Sequence, residues 1–323
     1  MSSTTVKAPN RSSSFTKFLA NNGALVGLVV LCIALFIATP DFLTGRNILN
    51  IGIQVSTVAV LAFGVTFVIV AGGIDLSVGS VAALSAMVSA WFFATAGLPG
   101  WLALVGGLVA GLVTGVVNGL ASAYGKLPSF IATLAMLSVA RGLTLVLSDG
   151  KPVPTSPQVS FLGGDIGPVP VPIIVLVVAA LIASFILNRT VIGRSMYAVG
   201  GNAEAARLSG LPVKRIVVVV FGLSGLFAAL AGLLLAGRLD SAQPQAASGY
   251  ELDAIASVVI GGASLAGGVG RISGTFIGAL VLVVIRNGLN LLNVSSFWQQ
   301  VVIGLVIAVA VGFDVLRRKT RSS

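Results

Sequence analysis

The 323-residue chain contains no histidine and a single cysteine, Cys32. Without imidazole there is no histidine-based metal site or proton relay, and one cysteine cannot close a disulfide within the chain. Cys32 lies in an apolar run and reads as a small buried hydrophobe. Charge is scarce too: 9% of residues are charged, against about 25% in a soluble domain. What fills the chain instead is apolar, at 56%. A soluble globule is excluded, and the composition points to an all-α, polytopic membrane protein. The net charge of +10 does not indicate nucleic acid, because the positive residues stand at the ends of apolar runs. Membrane lipid head groups account for them there.

A bilayer core about 30 Å thick is crossed by a helix of about 20 apolar residues. Charge-free stretches of that order run over 18–40, 47–74, 76–125, 166–188, 216–237, 254–270 and 287–313. Stretch 76–125 is long enough to cross twice, with Gly97-Leu98-Pro99-Gly100 as its turn. Ten spans follow, at 24–40, 47–72, 77–96, 101–122, 129–148, 169–187, 216–236, 254–266, 274–292 and 297–316. The first follows Lys7, Arg11 and Lys17 but precedes no small-x-small cleavage site. It therefore reads as a retained helix.

Loop charge orients these spans. With both termini cytoplasmic, the inner side holds Lys7, Arg11, Lys17, Lys126, Arg189, Arg194, Arg207, Lys214, Arg215, Arg271, Arg317, Arg318, Lys319 and Arg321. The outer side holds Arg46, Lys151 and Arg238. Trp91, Trp101 and Trp298 fall at outer span ends, where indoles sit among head groups. Asp41, Asp149, Asp165, Asp240, Glu251 and Asp253 also fall on the outer side and read as solvated loop residues.

A weak internal repeat is visible. Val116-Val117-Asn118-Gly119-Leu120 in span four is matched by Ile285-Arg286-Asn287-Gly288-Leu289 in span nine. Ile74-Asp75-Leu76 is matched by Glu251-Leu252-Asp253. The copies lie five spans apart, so the second is inverted; repeats of this kind place a transport path between the halves. Gly107, Gly111, Gly115 and Gly119 form a stripe on span four that lets another helix approach closely, within the subunit or at a dimer seam. Span eight dissolves into Gly261-Gly262-Ala263-Ser264-Leu265-Ala266-Gly267-Gly268. Irregular backbone at membrane depth requires cover by protein or a water-lined path.

The longest inner connection is 188–215. Within it Asn202 suits a helix N-cap, Glu204 falls in the first turn, and Ala203, Ala205 and Ala206 favour helix. Gly210 is a stop, and Pro212 prevents continuation. The pattern predicts a two-turn helix over 202–209, outside the membrane and suited to docking on another protein.

At this loop a resemblance becomes clear. Gly200, Gly201, Asn202, Ala203, Glu204, Ala205, Ala206, Arg207, Leu208, Ser209 and Gly210 resemble the ATPase-coupling loop of permease subunits in bacterial ABC sugar importers. The same pattern is visible in Gly72 to Ser80, Ser241 to Pro244, Gly249 to Ala256, Val259 to Gly268, Gly270 to Ile272 and Asn287 to Leu292. The resemblance covers residues 40–316 and is strongest to the ribose branch. It implies a homodimer with a fold like the cobalamin importer's permease, a separate cytoplasmic ABC ATPase and a periplasmic sugar-binding protein. It leaves 1–17 as a disordered cytoplasmic tail and 18–323 as one transmembrane domain.

The chain has no phosphate loop of its own, since Gly125-Lys126 is followed by Leu127. No cofactor is expected in it; ATP and Mg belong to the partner ATPase. Candidates for the sugar path are Gln54, Ser56, Thr57, Asn118, Thr133, Asn287 and Asn290, each of which could equally serve an interhelical hydrogen bond. Arg141 and Arg286 lie within spans and either snorkel outward or surround the outer mouth of the path. A secondary transporter would need intramembrane carboxylates, and Asp75 is the one at a plausible depth. A channel would need a charged filter ring, and a membrane enzyme a cluster of acid, base and nucleophile; neither pattern is present.

Overall fold

The computed structural model describes residues 23–322, so the tail 1–17 lies outside the described residues. Each of the ten predicted segments carries a helix. In chain order the helices are α1 (Gly23–Ala38), α2 (Gly45–Val70), α3 (Val78–Ala94), α4 (Gly100–Ala123), α5 (Ser129–Ser148), α6 (Pro157–Gly163), α7 (Val171–Arg189) and α8 (Val191–Gly201). They continue with α9 (Ala203–Leu208), α10 (Val213–Leu239), α11 (Tyr250–Ile260), α12 (Ile272–Leu291) and α13 (Ser296–Ser322). Helices α2, α4, α5, α7, α10 and α12 are long and apolar enough to cross a membrane. Helices α1 and α3 are apolar but shorter, as is the stretch 296–309 of α13. Two short antiparallel pairings join connecting segments, Val153–Pro154 with Ser241–Ala242 and Asp165–Ile166 with Val169–Pro170.

Helix α2 is the centre of the bundle. Every residue from Val55 to Val70 is buried. Its closest large counterpart is α10, and Phe67 meets Phe227 edge to face with ring centroids 5.6 Å apart. That geometry suits the aromatic quadrupole.

The two halves exchange partners. Helix α4 of the first half packs on α10 of the second through Gly111, Gly115 and Gly119, and on α3 through Gly107, all four buried. A Cβ on Gly107 would stand 2.7 Å from the Ser85 carbonyl oxygen, and one on Gly119 would stand 2.6 Å from the Val218 Cα. On Gly111 it would meet Ala229, and on Gly115 the Phe221 carbonyl. The stripe thus brings backbone onto backbone inside the chain, where dispersion and small size replace the hydrophobic force that lipid does not supply. Reciprocally, α12 of the second half packs on α2 of the first. Thr66 and Thr275 share a hydrogen bond of 2.8 Å, and the Asn47 and Asn287 amides exchange two bonds of 3.0 and 2.8 Å.

Three sequence expectations change. Span eight starts earlier and is shorter, with α11 ending at Ile260, because Gly261 and Gly262 (φ +89°) turn the backbone out of the helix. Helices α6 and α8 lie in connections where no helix was expected. Cys32 is only half-buried.

Candidate functional site

The connection between α7 and α10 holds two helices in tandem. Thr190 caps α8, its Oγ1 accepting from the Gly193 N–H at 3.1 Å. Asn202 closes α8 and opens α9, its Oδ1 accepting from the Ala205 N–H at 2.9 Å. A shared cap residue leaves no free linker between the two. Gly210 turns away at φ +83°, a conformation glycine adopts without strain.

Of residues 201–210 only Ala206 is buried. Gly201, Ala203, Ala205, Ser209 and Gly210 face outward, and so do the functional candidates Glu204, Arg207 and Leu208. Leu208 is 74% exposed, and on α8 Val191 is 67% exposed. On α9 an exposed Leu208 next to a charged pair, held out on a capped helix, is a surface fit for a protein partner. The Arg207 guanidinium grips Glu204 with two bonds, Nε to Oε2 at 3.0 Å and Nη2 to Oε1 at 2.6 Å. Those bonds hold the Glu204 carboxyl below the usual carboxylate range and push Arg207 up.

At the opposite end of the bundle both span arginines bond to protein groups. Arg141 on α5 donates through Nη1 to the carbonyls of Pro244 (2.7 Å) and Ala246 (3.0 Å). Arg286 on α12 pairs with Asp253 at 2.9 Å, the carboxylate side chain being 6% exposed. Both therefore clamp the turn 240–249 and the first turn of α11. Asp253 is buried and paired, which corrects its reading as a solvated loop residue. Asp41, Asp149, Asp165 and Asp240 are exposed as expected. A membrane-embedded arginine requires a partner, a signal that could have directed attention to the acidic residues near the span ends, Asp253 among them.

Asp75 sits in the break between α2 and α3, 1% exposed. It accepts from the Ser77 N–H (2.9 Å), the Ser77 hydroxyl (2.7 Å) and the Ser224 hydroxyl of α10 (2.9 Å). Asn118 donates to the same Ser77 hydroxyl at 2.9 Å. Thr133 accepts from the Leu76 N–H at 3.1 Å, and Ser129 from the Ile74 N–H at 3.2 Å. In the non-helical segment 71–77, Ile74 and Leu76 bond to side chains of α5, 71–73 to carbonyls of α2 and Ser77 to Asp75, the kind of pairing an apolar environment demands.

Five of the seven uncharged path candidates are packed. Ser56, Thr57, Asn118, Thr133 and Asn287 are buried, and the Ser56 hydroxyl donates back to Gly52. Gln54 is half-buried. Asn290 is exposed and accepts from Gln299 at 2.7 Å.

A family model described as the permease component of branched-chain amino acid transport systems matches residues 47–311. The chain belongs to this permease family. It is 50% identical over 296 residues to the ribose import permease protein RbsC of Bacillus subtilis strain 168, covering 90% of this chain and 92% of that protein. Over 308 residues it is 44% identical to the Escherichia coli K12 ribose import permease protein, covering 93% and 95%. It is 41% identical over 317 residues to the L-arabinose transport system permease protein AraH of Escherichia coli K12, covering 97% and 96%. No solved structure matches the chain. The permease is a multi-pass membrane protein, and its matched region begins at Asn47, within the first turns of α2.

Proposed function

We propose that this permease is the membrane-spanning subunit of an ATP-driven importer that carries a monosaccharide, ribose, across the bacterial inner membrane. The observation that carries the reading is 50% identity, along nine-tenths of the chain, to a ribose import permease. The exposed, doubly capped helix α9 supports the rest, since it offers an ATPase a handle that the membrane does not cover. On this reading ten helices span, both termini are cytoplasmic, and two copies assemble with a cytoplasmic ABC ATPase and a periplasmic sugar-binding protein. The reciprocal packing of α4 on α10 and of α12 on α2 favours an inverted repeat with a fold like the cobalamin importer's permease. ATP and Mg act in the ATPase, and this chain performs no chemistry.

ATP-driven closure of the ATPases displaces α9 and rocks the subunits, opening a sugar path past Gln54, Ser56, Thr57, Asn118, Thr133, Asn287 and Asn290. Asp75 argues against an ion-coupled transporter, because its oxygens are already engaged by three donors.

Reconstitution in liposomes with the ATPase and binding protein tests the reading. Uptake of labelled ribose is expected to require ATP and all three components. Uptake of L-arabinose in place of ribose would reassign the sugar. Uptake driven by an ion gradient without ATP would overturn the mechanism.

A further inference from the structure

The glycines around the coupling loop are placed where side chains could not be, and they join three segments far apart in sequence. Gly200, in the last turn of α8, lies against the end of α2 and against the loop 261–271 that follows α11. A Cβ on Gly200 would collide with the Val70 carbonyl oxygen and stand 2.6 Å from the Gly268 nitrogen. The Gly268 N–H donates to that same Val70 carbonyl at 2.9 Å. A Cβ on Gly267 would stand 2.6 Å from the Gly200 oxygen and 2.9 Å from the Gly72 Cα. Gly72, Gly267 and Gly268 hold φ of +82°, +89° and +73°. Beside them the Tyr197 hydroxyl donates to the Gly270 carbonyl at 2.7 Å.

We infer that these segments form one rigid junction, through which displacement of α9 reaches both halves of the permease at once, with Gly200 and Tyr197 as its positioning residues. The segment 71–77 belongs to the first half, and 261–271 to the second. Side chains at such a meeting could absorb movement by changing rotamer. Backbones in contact, bridged by a backbone hydrogen bond, transmit it, because close-packed protein has little slack. Asn202 links α9 to α8 with no intervening residue, so the lever is short. The inference rests on the coupling reading of α9 given above.

The test uses the full complex in nanodiscs with Gly200→Ala, Tyr197→Phe and, as control, Gly27→Ala on α1, whose added methyl meets nothing within 4 Å. All three variants should keep the ATPase bound. Ribose moved per ATP hydrolysed should fall about tenfold in Gly200→Ala, less in Tyr197→Phe, and stay unchanged in Gly27→Ala. Wild-type coupling in both Gly200→Ala and Tyr197→Phe overturns the junction. Because Gly200→Ala can also fail to assemble, a second measurement needs no junction variant. Spin labels at exposed Leu208 and Ala266, in a Cys32→Ser background, report the distance across the junction with and without ATP. An unchanged distance supports one rigid body, and a shifted one overturns it. Cross-linking from position 208 to the ATPase separates the two ideas: its absence defeats the coupling reading itself, whereas cross-linking with a shifted 208–266 distance defeats the junction alone.

Discussion

Removing either partner of the Arg286–Asp253 pair should cost stability unequally. The Asp253 side chain is 6% exposed and that of Arg286 is 31% exposed. Arg286→Met strands a carboxylate that water scarcely reaches, and breaking a buried pair this way costs about 3–5 kcal/mol. Asp253→Asn strands a guanidinium that is already partly wet and has a long stem with which to reach further. Its loss is closer to one charge-assisted hydrogen bond, about 1.5–3 kcal/mol. Combining the two removes the stranded charge altogether. The double variant should therefore recover much of the Arg286→Met loss, with a coupling energy of about 1–3 kcal/mol. Unfolding free energies of the four proteins in one detergent, from SDS titration followed by tryptophan fluorescence, measure the cycle. Equal losses in the two single variants, or a double variant equal to their sum, would refute the argument that burial of the carboxylate sets the cost.

Gly115→Ala should destabilise by about 1–3 kcal/mol, since the methyl enters the Phe221 carbonyl. Gly142→Ala, which meets nothing within 4 Å in the middle of α5, should be neutral or stabilising by up to about 1 kcal/mol; thermal melts of the two variants decide. The double variant Glu204→Ala/Arg207→Ala should leave the melt unchanged, because the pair is exposed and screened by water, yet abolish coupled uptake. Undiminished uptake contradicts the role of α9. The Glu204 carboxyl is held below its ordinary value, so the pair's contribution is complete above the usual glutamate pKa of about 4.3 and is lost only as pH falls through the lower folded value. ATPase capture by the permease should not titrate through Glu204 between about pH 8 and 5; a single-proton loss of capture near pH 6 that disappears in Glu204→Gln contradicts this.

Much of the architecture was legible because hydropathy and loop charge are read one segment at a time. The α9 helix was legible for the same reason: Asn202, Glu204, Gly210 and Pro212 act within a few residues of each other. What escaped was contact between distant segments. The Gly111–Ala229 and Thr66–Thr275 meetings leave no local trace. Asn118 and Asn287 looked like path residues because a polar amide in a span must bond to something, and sequence alone does not say whether that is sugar or Ser77 and Asn47. Helix α8 is hidden in the sequence because Gly193, Gly200 and Gly201 suggest a loop; Gly193 and Gly200 serve close approach and not flexibility.

The enclosure of α2 from Val55 to Val70 bears on how the permease is made. The helices that cover it include α7, α10, α11 and α12, all later in the chain. Between Val70 and the start of α10 the ribosome adds roughly 140 residues, which takes about 7–30 s at ~5–20 residues per second. Through that interval α2 meets lipid on faces that will end as dry interior. Its apolarity on every side is thus a requirement of its wait in the bilayer, which the finished bundle no longer imposes. Two of its three hydroxyls are prepared for the same wait. Ser56 and Thr66 each donate to a carbonyl one turn back, at 2.7 and 2.8 Å, so neither depends on Thr275 or any other latecomer to be satisfied.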